Sequence, residues 1–388
     1  MKIVAAVRSY YPHEGGVQAV AKYIAEGLAQ KGHDVTILTL RLGKEVREEV
    51  FQQVRIKRFD IRAIFKSFPL GDKKNFRKAL LEECKDADVF VNVCANSPLA
   101  VLAYQEIDHI KCRKILHQHG MFDGKFHFHK CHSLQGFLKM LFLTPFWELF
   151  YHHYWNKIVQ FDDCIHLFED DSSHSYFKRH GYLRNHVVMN SCESTFFDGQ
   201  TDQGVLGKYH VCRPYYIYVA NYYGNKNQLR AVKTYLESGC KATDLVLVGS
   251  TPNKYYSRIQ ALLEHSPQKD RVHLLSAVPR QDTIDLIKNA YAFLMTSNSE
   301  YFPISIIEAM ASGKPFICTD VGVVSQLPGG KVCQSDQELT HWLRYYESHP
   351  DFVEQMGAMA RKYAAQHCYL PRIIDQVESI FNGRSVSQ

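Results

Sequence analysis

The sequence predicts an α/β protein of two doubly wound, Rossmann-like domains facing a cleft. Three observations carry that expectation: a length of 388 residues, short apolar runs alternating with helical periodicity, and a restart of that alternation after residue 213. So long a chain exceeds one ordinary hydrophobic core. Strands that alternate with helices imply parallel sheets with right-handed crossovers.

The first strand is Ile3–Val7, an apolar run stopped by Arg8 and too short for the core of a secretion signal. A loop with Pro12, Gly15 and Gly16 leads into helical periodicity from Gln18 to Gln30, which Gly32 ends. Val35–Leu40, Val89–Val93 and Lys114–His117 read as further buried strands. The pattern lapses near Met189-Asn190. Residues 196–213 are polar and turn-rich, predicting a linker between a first domain, 1–195, and a second, 214–360. The second domain runs through strand Tyr216–Ala220, helix Gln228–Glu237, strands Leu245–Val248 and Val272–Leu275, and helix Asp282–Asn289. Strand Ala292–Met295, helix Ile304–Ala311 and strand Pro315–Thr319 follow, and helical periodicity returns from Asp351 to Phe381.

Composition narrows the function classes. Nearly half the residues are apolar, as in soluble globular proteins, and no run of 18 apolar residues is present to span a bilayer. The formal charge of +6 suits phosphates or an anionic membrane surface and makes no case for nucleic acid. Eleven cysteines without paired CxxC spacing point to reduced thiols and a cytoplasmic location, with peripheral attachment to the inner membrane face as an option.

The segment Ser297–Pro315 is the richest in chemistry. A strand ends near Met295, Pro303 suits a helix start, and Gly313 ends that helix. Glu300 is thereby placed in the loop at the strand's carboxyl end, and Glu308 on the second turn of the helix. The open amides of Ile304 and Ser305 form an anion site suited to a diphosphate, and a nearby carboxylate accepts from ribose or sugar hydroxyls. Two glutamates at this spacing are usually surface charges; the strand end, Pro303 and Gly313 favour the functional reading.

Glu-x7-Glu followed by Ala-Met-Ala-Ser-Gly-Lys-Pro resembles the signature of the family-4 glycosyltransferases, retaining enzymes of the GT-B fold. Val272–Val278 resembles the strand and loop that hold the base, with Ser276 where glycine is usual, which brings Val278 to the donor. Tyr218–Asn227 resembles the segment where an Arg and a Lys grip the diphosphate; Lys226 is present and Asn221 stands where Arg is common. In the first domain, Gly15-Gly16 resembles the phosphate-facing glycine loop, and His117-Gln118-His119-Gly120 matches the strand-end His-Gly that contacts the donor sugar. The resemblance implies that Glu300 and His119 serve catalysis. Gly15, Gly16, Asn221, Lys226, Val278, Ile304, Ser305 and Glu308 would bind the donor, with no metal and no cofactor beyond the nucleotide diphosphate sugar. It also implies that 361–388 packs back on the first domain. The expected reaction is retaining transfer of a hexose, from a UDP-sugar rather than GDP-mannose, to a glycan or lipid-linked acceptor in bacterial surface polysaccharide synthesis.

Other readings compete. A non-catalytic sugar-nucleotide-binding subunit would bind donor without turnover, and a GT-B epimerase would interconvert donors without an acceptor. A nicotinamide enzyme is disfavoured because the first loop lacks Gly-x-Gly-x-x-Gly. Asp86-Ala87-Asp88 has the form of a metal-binding Asp-x-Asp but precedes a strand, at the wrong end for a ligand. Residues 122–155 interleave aromatics with Lys125, Lys130, Lys139 and histidines at 127, 129, 132, 152 and 153. A zinc site there would lack acidic or cysteine partners at helix-facing spacing. The stretch is either a buried helix pair between domains or a surface that docks on an anionic membrane.

Overall fold

The computed structural model describes residues 1–384 apart from Glu14, Lys66, 122–133 and Arg213, and apart from the side chains of Gln135 and Lys139. The chain forms two compact units, Met1–Met189 with Pro371–Gln388, and Asn190–Leu370.

The first unit contains β1 (Lys2–Ala6), β2 (Asp34–Leu40), β3 (Glu48–Phe51), β4 (Val54–Phe59), β5 (Ile61–Ile64), β6 (Phe68–Gly71), β7 (Val89–Val93), β8 (Arg113–His117), β9 (Asp163–His166) and β10 (Asn185–Val187). Eight of them form one sheet in the order β10-β9-β8-β7-β1-β2-β4-β3, parallel except for the edge strand β3. The central strands are continuous apolar runs because both faces of a parallel sheet are covered; Val4, Leu38, Phe90 and Leu116 are fully buried in one core. Sequence periodicity did not show the hairpin β3–β4. Its turn residues Gln52 and Gln53 both have positive φ without the glycine or asparagine that usually marks such turns. β5 and β6 make a separate two-stranded hairpin.

The second unit holds β11 (Tyr215–Val219), β12 (Asp244–Gly249), β13 (Val272–Ser276), β14 (Ala292–Met295), β15 (Phe316–Thr319) and β16 (Gly330–Cys333), all parallel, in the order β13-β12-β11-β14-β15-β16. β11 buries a run of tyrosines whose hydroxyls each find an acceptor, Tyr215 at Leu286 O (2.6 Å) and Tyr216 at Leu343 O (2.7 Å).

The switch between units falls after Leu370. Helix Pro350–His367 stays with the second unit because Gly357 packs so close to Gly313 that a Cβ would lie 2.2 Å from its carbonyl oxygen. Helix Leu370–Phe381 belongs to the first unit, where Ile374 fills the space over Gly27, Lys31 Nζ binds Asp375 at 2.7 Å and the His33 ring lies 2.8 Å from Glu378. Residues 196–213, expected as a linker, carry a 3-10 turn and the short helix Gly204–Lys208 inside the second unit.

Candidate active site

Strand order in the second unit reverses between β11 and β14, the topological switch point where open α/β sheets bind ligands. The loops leaving these two strands are laced together. Asn298 N–H donates to Asn225 O (2.8 Å), Asn225 Nδ2 to Ser299 O (3.0 Å), and Thr296 Oγ1 to Asn227 O (2.8 Å). At their meeting point Lys226 Nζ lies 2.6 Å from Glu300 Oε1, and the Ser297 hydroxyl donates to the same oxygen at 2.7 Å. Beneath them the Tyr218 hydroxyl faces Ser297 Oγ (2.8 Å) and Lys226 O (2.5 Å). Burial pushes this phenol far above its ordinary pKa, so it remains a proton donor.

Gly322 brings a second strand end against Glu300. Its φ of +59° is left-handed, and a Cβ there would sit 2.0 Å from Tyr301 O and 2.8 Å from Glu300 O. Only glycine permits that approach. Val323 N–H completes the contact by donating to Tyr301 O at 3.0 Å.

Helix Ile304–Ala311 begins behind Pro303, so the amides of Ile304 and Ser305 have no intrahelical acceptor. Glu308 is buried one turn further on. A carboxylate withdrawn from water needs a cation, and Arg280 provides it: Nη2 donates to Glu308 Oε1 at 2.5 Å, Nε to Glu193 Oε1 at 2.8 Å, and the guanidinium rests 5.1 Å above the Phe196 ring. Val278 lies two residues before Arg280, in the loop leaving β13, where Ala277 takes a positive φ. Asn221 is exposed at the carboxyl end of β11, and among the described residues its side-chain amide meets no partner.

Strand order in the first unit reverses between β1 and β7. Gly15 precedes helix Gly16–Gln30, and no side chain caps that helix. Its backbone is extended, and a Cβ there would meet only the movable end of the Gln18 side chain, at 2.3 Å from Oε1, so neither backbone nor packing demands glycine at this position. A Cβ on Gly16 would meet nothing, so packing does not demand glycine there. β8 ends in His117, and Gln118 and His119 follow, all three buried, before Gly120 turns the chain with φ +98°. The two rings lie 4.4 Å apart between centroids. Burial pushes His117 down to about 4, and burial, then the neighbouring His117, holds His119 well below its ordinary value. Both rings are therefore neutral near pH 7. Gln118 Oε1 accepts from Ala95 N–H at 3.1 Å. Among the described residues, Gln118 Nε2, His119 Nε2 and Asn92 Oδ1 are buried polar atoms without a hydrogen-bond partner.

Two family profiles decide what these sites belong to. Glycosyl transferases group 1 match residues 211–362, and Glycosyltransferase Family 4 matches residues 14–159. The chain belongs to the group 1/family 4 glycosyltransferases. Solved structures agree on the fold. Alr3699/HepE from Anabaena, in complex with UDP, superposes with a TM-score of 0.74 at 15% identity, covering 99% of this chain and 100% of that one. Sucrose-phosphate synthase from Thermosynechococcus elongatus gives 0.73 at 15% identity over 99% of both chains. WaaG, a glycosyltransferase involved in lipopolysaccharide biosynthesis, gives 0.68 at 17% identity over 98% and 100%. No curated protein sequence matches. At these identities the likeness establishes the GT-B fold of this glycosyltransferase.

Within the glycosyltransferase, Glu300 and Lys226 come into direct contact, and Ile304, Ser305, Glu308 and Val278 lie on the elements beside them. Sequence reasoning missed Arg280, 28 residues from Glu308 in a helix start of ordinary composition, and assigned no role to Ser297 and Gly322, which support Glu300. The Asp-x-Asp at 86–88 serves the sheet's amino end, where Lys2 N–H donates to Asp88 at 2.7 Å and Lys2 Nζ binds Asp86. Among the described residues no three metal-ligating side chains cluster. His127, His129, His132, Lys125 and Lys130 lie outside the described residues.

Proposed function

We propose that this glycosyltransferase moves a hexose from a nucleotide diphosphate sugar, UDP-hexose in preference, to a glycan or lipid-linked acceptor of a bacterial surface polysaccharide. The transfer retains configuration and needs no metal. The carrying observation is the Lys226–Glu300 contact of 2.6 Å at the switch point, beside a helix that opens its first amides. Departure of a nucleoside diphosphate builds negative charge, and Lys226 with the Ile304 and Ser305 amides supplies the compensating positive charge. Glu300, aligned by Ser297, would orient the sugar by its hydroxyls, and Glu308, steadied by Arg280, would hold the ribose.

From the first unit, the Gly15 and Gly16 amides are assigned to phosphate oxygens and neutral His119 to a sugar hydroxyl. The bond from the anomeric carbon to phosphate breaks as the acceptor oxygen bonds that carbon on the same face, and the acceptor proton passes to the departing phosphate oxygen. The UDP preference draws on similar structures that hold UDP and UDP-glucose, and the pathway on the similarity to WaaG. Such an acceptor would place the enzyme at the inner face of the membrane.

The test is product analysis. The protein is incubated with UDP-glucose and a lipid-linked oligosaccharide fraction, with and without EDTA. UDP release should depend on acceptor, persist in EDTA and yield an α-linked product by proton NMR. A β-linked product, or an epimerised donor without acceptor, would refute the reading.

A further inference from the structure

The first unit leaves an apolar ridge in solvent. Helix Leu134–Ile158 buries Trp147, Phe150, Tyr151 and Ile158 in the core. A surface helix ordinarily shows polar residues on its other side. Here Leu134, Leu138, Leu141, Phe142 and Leu149 follow one another at helical spacing along a stripe about 100° wide, and they are 47–79% exposed. The stripe turns polar only at His152 and Asn156.

The β5–β6 hairpin extends the ridge sideways. Ile64, Phe65 and Leu70 are exposed on it, and Phe65 reaches the helix through Phe146, ring centroids 6.3 Å apart. These eight residues are nearly half of the seventeen large hydrophobics found exposed among the described residues, gathered on one hairpin and one helix. An apolar patch of this extent marks an interaction surface rather than scattered exposure.

Charge says what kind of surface. Arg62 stands opposite Leu70 in the hairpin register, and Lys73 and Lys74 open the helix Lys73–Cys84 that follows it. All three are exposed, and among the described residues none pairs with a carboxylate. Glu148 is the only acidic residue in helix Leu134–Ile158. Apolar side chains bordered by free cations match an anionic bilayer interface, where the ridge enters the acyl boundary and the cations meet lipid phosphates. No helix among the described residues is long and apolar enough to cross a membrane, so the ridge would lie in the interface plane.

We infer that hairpin Ile61–Gly71 and the outer stripe of helix Leu134–Ile158 form a docking surface for an anionic lipid bilayer. This deepens the reading of a lipid-linked acceptor, which such a surface would meet where it is anchored.

The test is flotation of the full-length protein with vesicles of phosphatidylcholine alone or in equal parts with phosphatidylglycerol. The protein should float with the anionic vesicles and less so as salt rises. Leu138→Ser with Phe142→Ser should weaken partitioning about tenfold or more. Lys73→Gln and Lys74→Gln should each weaken it about fivefold at low salt. Thermal unfolding and its shift by UDP, recorded without vesicles, should be the same in all variants. A wild-type protein that stays in bulk overturns the inference, as do variants that float equally well. So does a dimer in sedimentation that the same substitutions dissolve, since a second copy then covers the ridge. A protein that binds UDP but does not float sinks the surface alone. One that floats but shows no UDP shift sinks the donor reading and leaves the surface standing.

Discussion

The sheets of the two units share the order of six parallel strands and carry opposite chemistry at the carboxyl ends of those strands. In the second unit the crevice is lined by charges already paired, Lys226 with Glu300 and Arg280 with Glu308. In the first unit the end of β8, one strand from the switch point, holds neutral imidazoles and an amide, and among the described residues His119 Nε2 and Gln118 Nε2 are buried and unpartnered. A departing diphosphate calls for fixed positive charge, whereas an uncharged sugar calls for hydrogen-bonding groups that keep one protonation state. Repetition of a fold thus repeats where a ligand can bind, and on the proposed reading the side chains there decide which chemistry each unit accepts.

The largest effect should come from the charged side. Lys226→Ala should lower kcat/KM for UDP release about 10²–10³-fold; a loss below about tenfold would break the contrast between the units. On the neutral side, His119→Ala should lower kcat about 10–100-fold, the size of one or two well-placed hydrogen bonds. Because burial holds this ring uncharged, the wild-type rate should show no limb near pH 6.5 that the substitution removes. Such a limb would make His119 a titrating acid or base instead.

Arg280 sharpens the comparison, because its partner is buried and it is itself half-exposed. Arg280→Ala leaves Glu308 without a cation and should destabilise the protein by about 2 kcal/mol, allowing for solvent screening. Adding Glu308→Gln should restore the melting temperature but not nucleotide binding. Recovery of both would reduce the pair to a structural salt bridge.

The smallest effect is acid sensitivity of the first unit. His117 and His166 are buried and pushed down to about 4. Their folded values lie below the unfolded value of about 6.5, so the unfolded state binds more protons between those limits and stability falls as pH drops through that window. Each ring should contribute a loss of about 1 kcal/mol at pH about 5.5. Hydrogen exchange should report the loss in β8 and β9, and His166→Asn should remove part of it. A stability flat to pH about 4.5 would contradict the neutral assignment of these rings.

The same contrast explains what was legible in the sequence. Glu300, Pro303, Ile304 and Glu308 are local in the chain, so strand end, helix start and spacing placed them without coordinates. Lys226 was found by resemblance; its contact with Glu300, 74 residues away, is a product of sheet order. Arg280 gave no local signal, since its role depends on a carboxylate from another helix, and the role of Gly322 depends on a backbone approach that the sequence does not show. In the first unit the core strands were readable, but the β3–β4 hairpin turns on two glutamines that carry no turn signature. The aromatic stretch 122–155 was readable in composition and ambiguous in placement. In its described part, one face enters the core and the other faces solvent.

The most direct test of the central claim is thermal unfolding titrated with UDP, GDP and their hexose conjugates, without added metal, for the wild-type protein and Glu308→Ala. One nucleotide family should stabilise the wild type by about 2.7 kcal/mol at ~100 times its dissociation constant. That shift should vanish in the variant. A wild-type protein that no nucleotide or nucleotide sugar stabilises, or a shift that survives Glu308→Ala undiminished, would contradict the placement of the donor at the second unit's switch point.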